Sequence, residues 1–265
     1  MSPLTLAFRE YGQGKKTLVI LHGLLGSSQN WQRVAKSLSA KYRILAVDLR
    51  NHGESPHTPE HSFAALREDL KIFFDQHNLE AAYVLGHSMG GVAAMEFAFH
   101  YPERLRGLIV EDIAPRAYHS SSAGILEALA ELPIAQFSTR QQVDEALSKR
   151  LANTTTRQFV LTNLVRNEDN SFGWRVNLPA LLAFQTEMAA YEPPAHARFD
   201  GQTLFIGGEN SDYHLDHDHA LILSHFPNSK LTMIPNAGHW IHFEAMEEFN
   251  NCVEQFLDHG LTKSS

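Results

Sequence analysis

The sequence predicts an α/β protein built on a mostly parallel sheet and interrupted by one helical insertion. Short apolar runs rich in β-branched residues alternate with segments of helical period, which argues for βαβ units. The runs lack strict alternation, as strands buried on both faces do. The rhythm breaks once, after Pro115, and resumes near Arg198. With 265 residues, 43% hydrophobic and 20% charged, the chain is long enough for one large core carrying an insertion, and its composition excludes disorder and fibrous repeats.

Residues 4–9 fit an antiparallel edge strand, and buried strands are expected at 17–21, 44–47, 83–85, 108–110, 203–206 and 231–234. Helices are expected at 31–38, 63–77, 90–99 and 244–257. Within 116–198 the helix signals are 123–132, 155–165 and 178–190, and Pro193-Pro194 ends the excursion. Ser138-Thr-Arg-Gln141 has capping-box spacing ahead of the stripe Val143, Ala146, Leu147, Leu151. The expected organisation is a core of 1–115 and 199–265 with a mostly helical cap at 116–198; an ordinary second helical layer is the alternative.

The 22 basic and 30 acidic side chains leave a net charge of −8, which repels phosphate backbones and makes nucleic-acid binding a poor hypothesis. Residues 116–198 hold eight basic and eight acidic side chains, so the whole −8 falls on the core. No secretory signal precedes the first strand and no apolar run approaches the roughly 20 residues of a membrane span, so a cytoplasmic protein without membrane insertion is expected. The single cysteine, Cys252, lacks basic neighbours and reads as a buried small apolar residue.

Gly86-His-Ser88-Met-Gly90 matches G-x-S-x-G between an expected strand and an expected helix, the setting that strains a serine and lifts its hydroxyl above the sheet. The flanking glycines spare the tight turn a collision. Ser88 is thus the candidate nucleophile. A second buried strand runs into His22-Gly23-Leu24, where the other oxyanion donor belongs, so the backbone N–H groups of Leu24 and Met89 form the expected pair. His22 shapes that loop rather than moving protons.

Among 16 histidines, the base is identified by position. His239 follows the last strand in a glycine-containing loop ahead of the terminal helix, as the order Ser, acid, His requires. His242 is the near rival, and His87, beside Ser88, is expected to point elsewhere because neighbouring side chains diverge on a tight turn. His214, His217 and His219, interleaved with Asp212, Asp216 and Asp218, have scrambled spacing and read as a solvated face rather than a metal site. His22, His87, Trp174 and Trp240 are candidate substrate contacts, and Ile125, Leu126, Leu129, Phe159, Trp174, Leu181, Leu182 and Phe184 are candidate apolar walls. The polar segment from Asp48 to Ser55 is expected to knit its own loop.

Taken together, His22-Gly23, Asp48-Leu-Arg-Asn-His-Gly-Glu-Ser55, Gly86-His-Ser-Met-Gly-Gly91 and Gly238-His239 resemble the α/β-hydrolase superfamily over nearly the full chain. Gly23-Leu-Leu-Gly-Ser-Ser-Gln-Asn-Trp31, Val110-Glu-Asp-Ile-Ala-Pro115, Trp174-Arg-Val-Asn-Leu178, Gly207-Gly-Glu-Asn-Ser211 and Ala237-Gly-His-Trp-Ile-His242 resemble the YbfF-type bacterial esterases and their mitochondrial relatives. The resemblance implies a Ser-His-Asp carboxylesterase, extending to acyl thioesters, with a helical cap and no cofactor. Many superfamily members carry the acid in a Gly-x-x-Asp turn, but here that turn reads Gly208-Glu-Asn-Ser211, with Asp212 one residue late. Some relatives place it at the end of the preceding strand, where Asp112 stands. Asp112 is therefore preferred, with Asp212, Glu209 and Glu111 left as alternatives.

The expected function is hydrolysis of small-to-medium acyl esters through an acyl-enzyme. Carbon–carbon bond hydrolysis or a lyase step could use the same triad, and a ligand receptor with a vestigial site is the reading from another class. Dehalogenase and epoxide-hydrolase chemistry would need aspartate at position 88. A neutral cap favours uncharged esters over acyl-CoA.

Overall fold

A computed structural model describes residues 4–118 and 122–261 of the chain. In chain order its main elements are β1 (Phe8–Tyr11), β2 (Thr17–Leu21), α1 (Gln32–Leu38), β3 (Arg43–Val47), α2 (Phe63–Gln76), β4 (Ala82–His87), α3 (Met89–His100) and β5 (Leu105–Glu111). Next come α4 (Ser122–Ala130), α5 (Arg140–Ser148), α6 (Thr154–Val160), β6 (Leu164–Arg166), β7 (Phe172–Trp174) and α7 (Leu178–Ala189). The chain then runs through β8 (Thr203–Gly208), α8 (His219–His225), β9 (Ser229–Ile234), α9 (Ile241–Glu244) and α10 (Met246–His259).

Seven strands form one sheet in the order β1-β3-β2-β4-β5-β8-β9. Only the edge strand β1 is antiparallel; the remaining pairs are parallel. The apolar runs are continuous because successive residues serve two cores, one on each face. Val19, Leu21, Leu45, Val47 and Val84 pack with α2 and α3, whereas Leu18, Ile20, Ile44, Ala46 and Leu85 pack with α1 and α10. Asp69, buried on α2, pairs with Arg50, so even the charged side chain on that face has its partner.

Between β5 and β8, α4 to α7 and the β6–β7 hairpin share an apolar cluster of their own, with Leu126, Leu129, Val143, Leu147, Val160, Leu161 and Leu181 at its centre. Leu25 of the main body joins it. Two asparagines tie this segment down: Asn163 Nδ2 donates to Leu25 O at 2.8 Å, and Asn177 Nδ2 to Asn51 Oδ1 at 3.0 Å. Residues 119–121 of the segment expected as a cap lie outside the described residues.

Several expected boundaries shift for local reasons. The edge strand starts at Phe8 because Ala7 is held by the neighbouring loop, its N–H donating to Ser55 Oγ at 2.8 Å and its carbonyl accepting from Asp48 N at 2.8 Å. The capping box is one residue later than the spacing suggests, with Thr139 capping and Gln142 reaching back. The helix expected at 155–165 stops at Val160, and Leu164 enters β6, closed by a turn in which Asn170 adopts φ 66°. Cys252 is half-buried rather than buried, and burial raises its thiol pKa.

Candidate active site

Ser88 sits where β4 ends and α3 begins, with φ 52° and ψ −119°, a conformation that a non-glycine residue adopts only under constraint. The turn is closed by contact on both sides. A Cβ on Gly86 would lie 2.2 Å from Gly90 O, and one on Gly90 would lie 2.5 Å from His22 O. Ser88 N donates to Glu111 O at 3.0 Å, locking the turn to the end of β5. Met89 is the first residue of α3, so its N–H is one of those that a helix start leaves without an intrahelical acceptor.

Asp112 follows β5 with φ 53° and is fully buried. Its Oδ2 lies 2.7 Å from His239 Nδ1 and also accepts a hydrogen bond from Ser211 Oγ, while Oδ1 accepts from Gly208 N at 3.1 Å. A carboxylate with both oxygens engaged holds the imidazole as the Nδ1–H tautomer and leaves Nε2 unprotonated. Tyr213 stacks on His239 at 4.2 Å with the planes 9° apart, fixing the ring from one side. Ser88 and His239 line the same cavity of about 340 Å3, together with Leu24, Ile125, Phe159 and Trp240. The cavity stands outside the carboxyl ends of the parallel strands, where open α/β sheets bind ligands.

Beneath His239 lies a buried group. His87 Nε2 donates to His239 O at 2.9 Å, and Glu111 Oε1 accepts from both the backbone N and Nδ1 of His242, each at 2.9 Å. Trp31 stacks on His242 at 4.1 Å. Burial pushes Glu111 up to about 7 and pushes His87 and His242 down to about 3, so both imidazoles are neutral near pH 7. Among the described residues, His87, Glu111 and His242 are the trio whose ligand atoms lie close enough, within 4.8 Å, to hold a metal ion. Their hydrogen bonds are directed instead at the loop that carries His239.

A model of the alpha/beta hydrolase fold matches residues 16–245. The chain is 35% identical to the sn-1-specific diacylglycerol lipase ABHD11 of Mus musculus, over 97% of this chain and 86% of that one. It is 32% identical to the esterase YbfF of Escherichia coli strain K12, over 91% and 92% of the two chains. A solved structure described as a marine microorganism esterase superposes with a TM-score of 0.92 at 36% identity, covering 96% of this chain and 99% of that one. The chain belongs to the α/β-hydrolase family.

In this α/β hydrolase the fold gathers Ser88, His239, Asp112, Leu24, Met89, His87 and Trp240 at one place. Of the alternative acids, Asp212 and Glu209 are exposed and Glu111 is committed to His242. His87 does not diverge from the site as the tight turn suggested; its ring lies 4.6 Å from that of His239. His22 stays within its loop, Nε2 accepting from Leu49 N at 3.0 Å. Trp174 is not brought to the cavity: it packs on the cluster of the inserted segment and donates to Leu129 O at 3.3 Å. Of the expected apolar walls, Ile125 and Phe159 reach the cavity, whereas Leu126, Leu129, Leu181 and Leu182 pack within that cluster and Phe184 enters the main core. Of the His/Asp cluster, Asp212, His214, Asp216, His217 and His219 are exposed, whereas Asp218 is buried and pairs with Arg116 at 2.8 Å.

The loop from Asp48 to Ser55 knits itself, and with it the loop that follows β2. Asp48 accepts from Ser28 N and Glu54 N, and His52 Nε2 accepts from Leu25 N at 3.2 Å. Leu25 is held at φ 61° by that bond, next to the residue expected to supply an oxyanion donor. The roles of Ser211 and Tyr213 were missed in the sequence. The signal was the serine in the Gly-x-x-Asp slot, whose hydroxyl proves to donate to the carboxylate of Asp112, the residue after β5.

Proposed function

We propose that this chain hydrolyses small-to-medium acyl esters, and acyl thioesters by the same route, with Ser88 as nucleophile, His239 as base and Asp112 as the acid that orients it. Esterase and lipase relatives support a carboxylic ester hydrolase. The observation that carries the triad is the 2.7 Å approach of His239 Nδ1 to the buried Asp112, in a cavity that also exposes the strained Ser88.

The chemistry balances within these residues. Ser88 Oγ bonds to the acyl carbon as its proton passes to His239 Nε2, and the carbonyl oxygen takes up the negative charge. Leu24 and Met89 N–H groups receive that charge, each such donor being worth roughly 3–4 kcal/mol. His239 then gives its proton to the leaving oxygen or sulfur as that bond breaks. Water repeats the sequence on the acyl-enzyme and frees Ser88. The fold asks for no cofactor in any of these steps. Residues 116–198 act as the cap, since Ile125 and Phe159 contribute walls to the cavity and the Phe159 ring lies 5.4 Å from that of Trp240, which also lines it.

The test is labelling with a serine-directed fluorophosphonate alongside a panel of ester and thioester substrates. The wild type is expected to label and turn over, and Ser88→Ala to do neither. A wild type that takes no label overturns the reading.

A further inference from the structure

Ser88 stands between two cavities of unequal size. The larger, about 340 Å3, contains His239; the smaller, about 30 Å3, is lined by Val92, Ile113, Met188 and Tyr191 and lacks His239, while Leu24, Ser88 and Tyr213, the ring stacked on His239, line both.

We propose that the small pocket receives the acyl group and limits it to two or three carbons, while the alcohol lies in the large cavity and is free to be bulky and apolar. The proposal deepens the Ser88–His239 reading above and rests on it.

The assignment follows from where the proton must go. When the ester bond breaks, its oxygen takes a proton from His239, so the leaving group has to sit on the side of Ser88 that His239 lines. The carbonyl oxygen turns toward the N–H groups of Leu24 and Met89. The one substituent left, the acyl chain, needs space beside Ser88 that His239 does not line, and the small pocket is such a space.

Its walls resist enlargement. Val92 and Ile113 are buried in the main core, and the hydroxyl of Tyr191 donates to Glu96 Oε1 at 2.9 Å, which holds the ring in place. Arg116, at the pocket's edge, lies 3.9 Å over the Tyr118 ring and pairs with Asp218 at 2.8 Å, so its charge is matched rather than offered to an acyl carboxylate. A water-sized group needs roughly 10–15 Å3 of such space, so about 30 Å3 takes one or two carbons beyond the carbonyl. Met188 on α7 is a half-buried apolar wall of this pocket.

Benzyl esters from acetate to octanoate test this, because their alkoxide must be protonated to leave. Fluorophosphonate labelling runs in parallel. The specificity constant kcat/KM is expected to peak at acetate or propionate and to fall about tenfold or more by hexanoate. Among acetates, enlarging the alcohol from ethyl to decyl is expected to raise it. Met188→Ala should raise the hexanoate-to-acetate ratio of kcat/KM about tenfold, with fluorophosphonate labelling of the variant reporting an intact fold. A labelled wild type whose activity climbs through octanoate overturns the pocket assignment alone, as does a Met188→Ala variant that raises every chain length equally. A wild type that neither labels nor turns over any ester overturns the Ser88–His239 reading first.

Discussion

Ser211 and His239 meet at one oxygen: Oδ2 of Asp112 accepts from the Ser211 hydroxyl and faces His239 Nδ1 at 2.7 Å. The turn after β8 thus supplies a hydrogen-bond donor to a carboxylate held at the neighbouring strand end. Removing the donor leaves the carboxylate with one fewer constraint and frees it to rotate. Ser211→Ala is expected to lower kcat about tenfold, the size of one hydrogen bond to a charged group, with KM little changed. Steady-state kinetics on an acetate ester checks this.

Asp112 and Asp212 separate the two possible positions of the acid. Asp112→Asn keeps the shape but presents an amide to Nδ1, stabilising the wrong tautomer, and is expected to cost about 10⁴-fold in kcat. Asp212 is exposed on the rim of the cavity, and Asp212→Asn should stay within about threefold of the wild type. A reversed pattern would assign the acid to Asp212.

The positions of Ser88, His239 and the strands were readable because each depends on local pattern: an apolar run, a glycine-bounded turn, a loop ahead of the terminal helix. The ends of elements were less so. The helical pattern expected through 165 tightens into a 3-10 turn at Leu161–Asn163 and then gives way to β6, where Asn163 reaches across to Leu25 O and β7 pairs with β6. The wall residues divide in the same way. Trp174 and Phe159 both pack on the cluster of the inserted segment, and only tertiary packing brings Phe159 alone to the cavity as well. Ser211 was visible as a residue but not as a partner, since its role depends on a carboxylate 99 positions away.

Acid stability follows from the buried imidazoles. Burial lowers His22, His52, His61, His87 and His242 below the ordinary histidine value near 6.5, with His61, His87 and His242 at about 3. A depressed folded-state value means that the unfolded chain takes up protons below pH 6.5 and the folded chain does not, so stability is lost as the pH falls from there toward 3. Each group contributes up to roughly 1.4 kcal/mol per pH unit in that range. Urea midpoints should fall steeply between pH 6.5 and 5, with proton uptake on unfolding of up to about five per molecule. A midpoint flat over that range would mean these rings titrate as if exposed.

Glu111 acts in the opposite sense. Its folded-state value, pushed up to about 7 by burial, exceeds the ordinary 4.5, so the folded chain binds a proton that the unfolded chain has lost. The stability this provides is fully present below pH 4.5 and is lost as the pH rises through 7, because an ionised Glu111 is then buried against the neutral donors of His242. Gln at this position still offers an oxygen to His242 N–H and Nδ1–H and carries no charge. Glu111→Gln is therefore expected to raise the urea midpoint at pH 8 relative to pH 5, against the wild-type ratio, and to leave kcat within about threefold because the loop bearing His239 keeps its anchor. Equal midpoint shifts at both pH values would show that the carboxylate is held by its hydrogen bonds and not penalised by its charge.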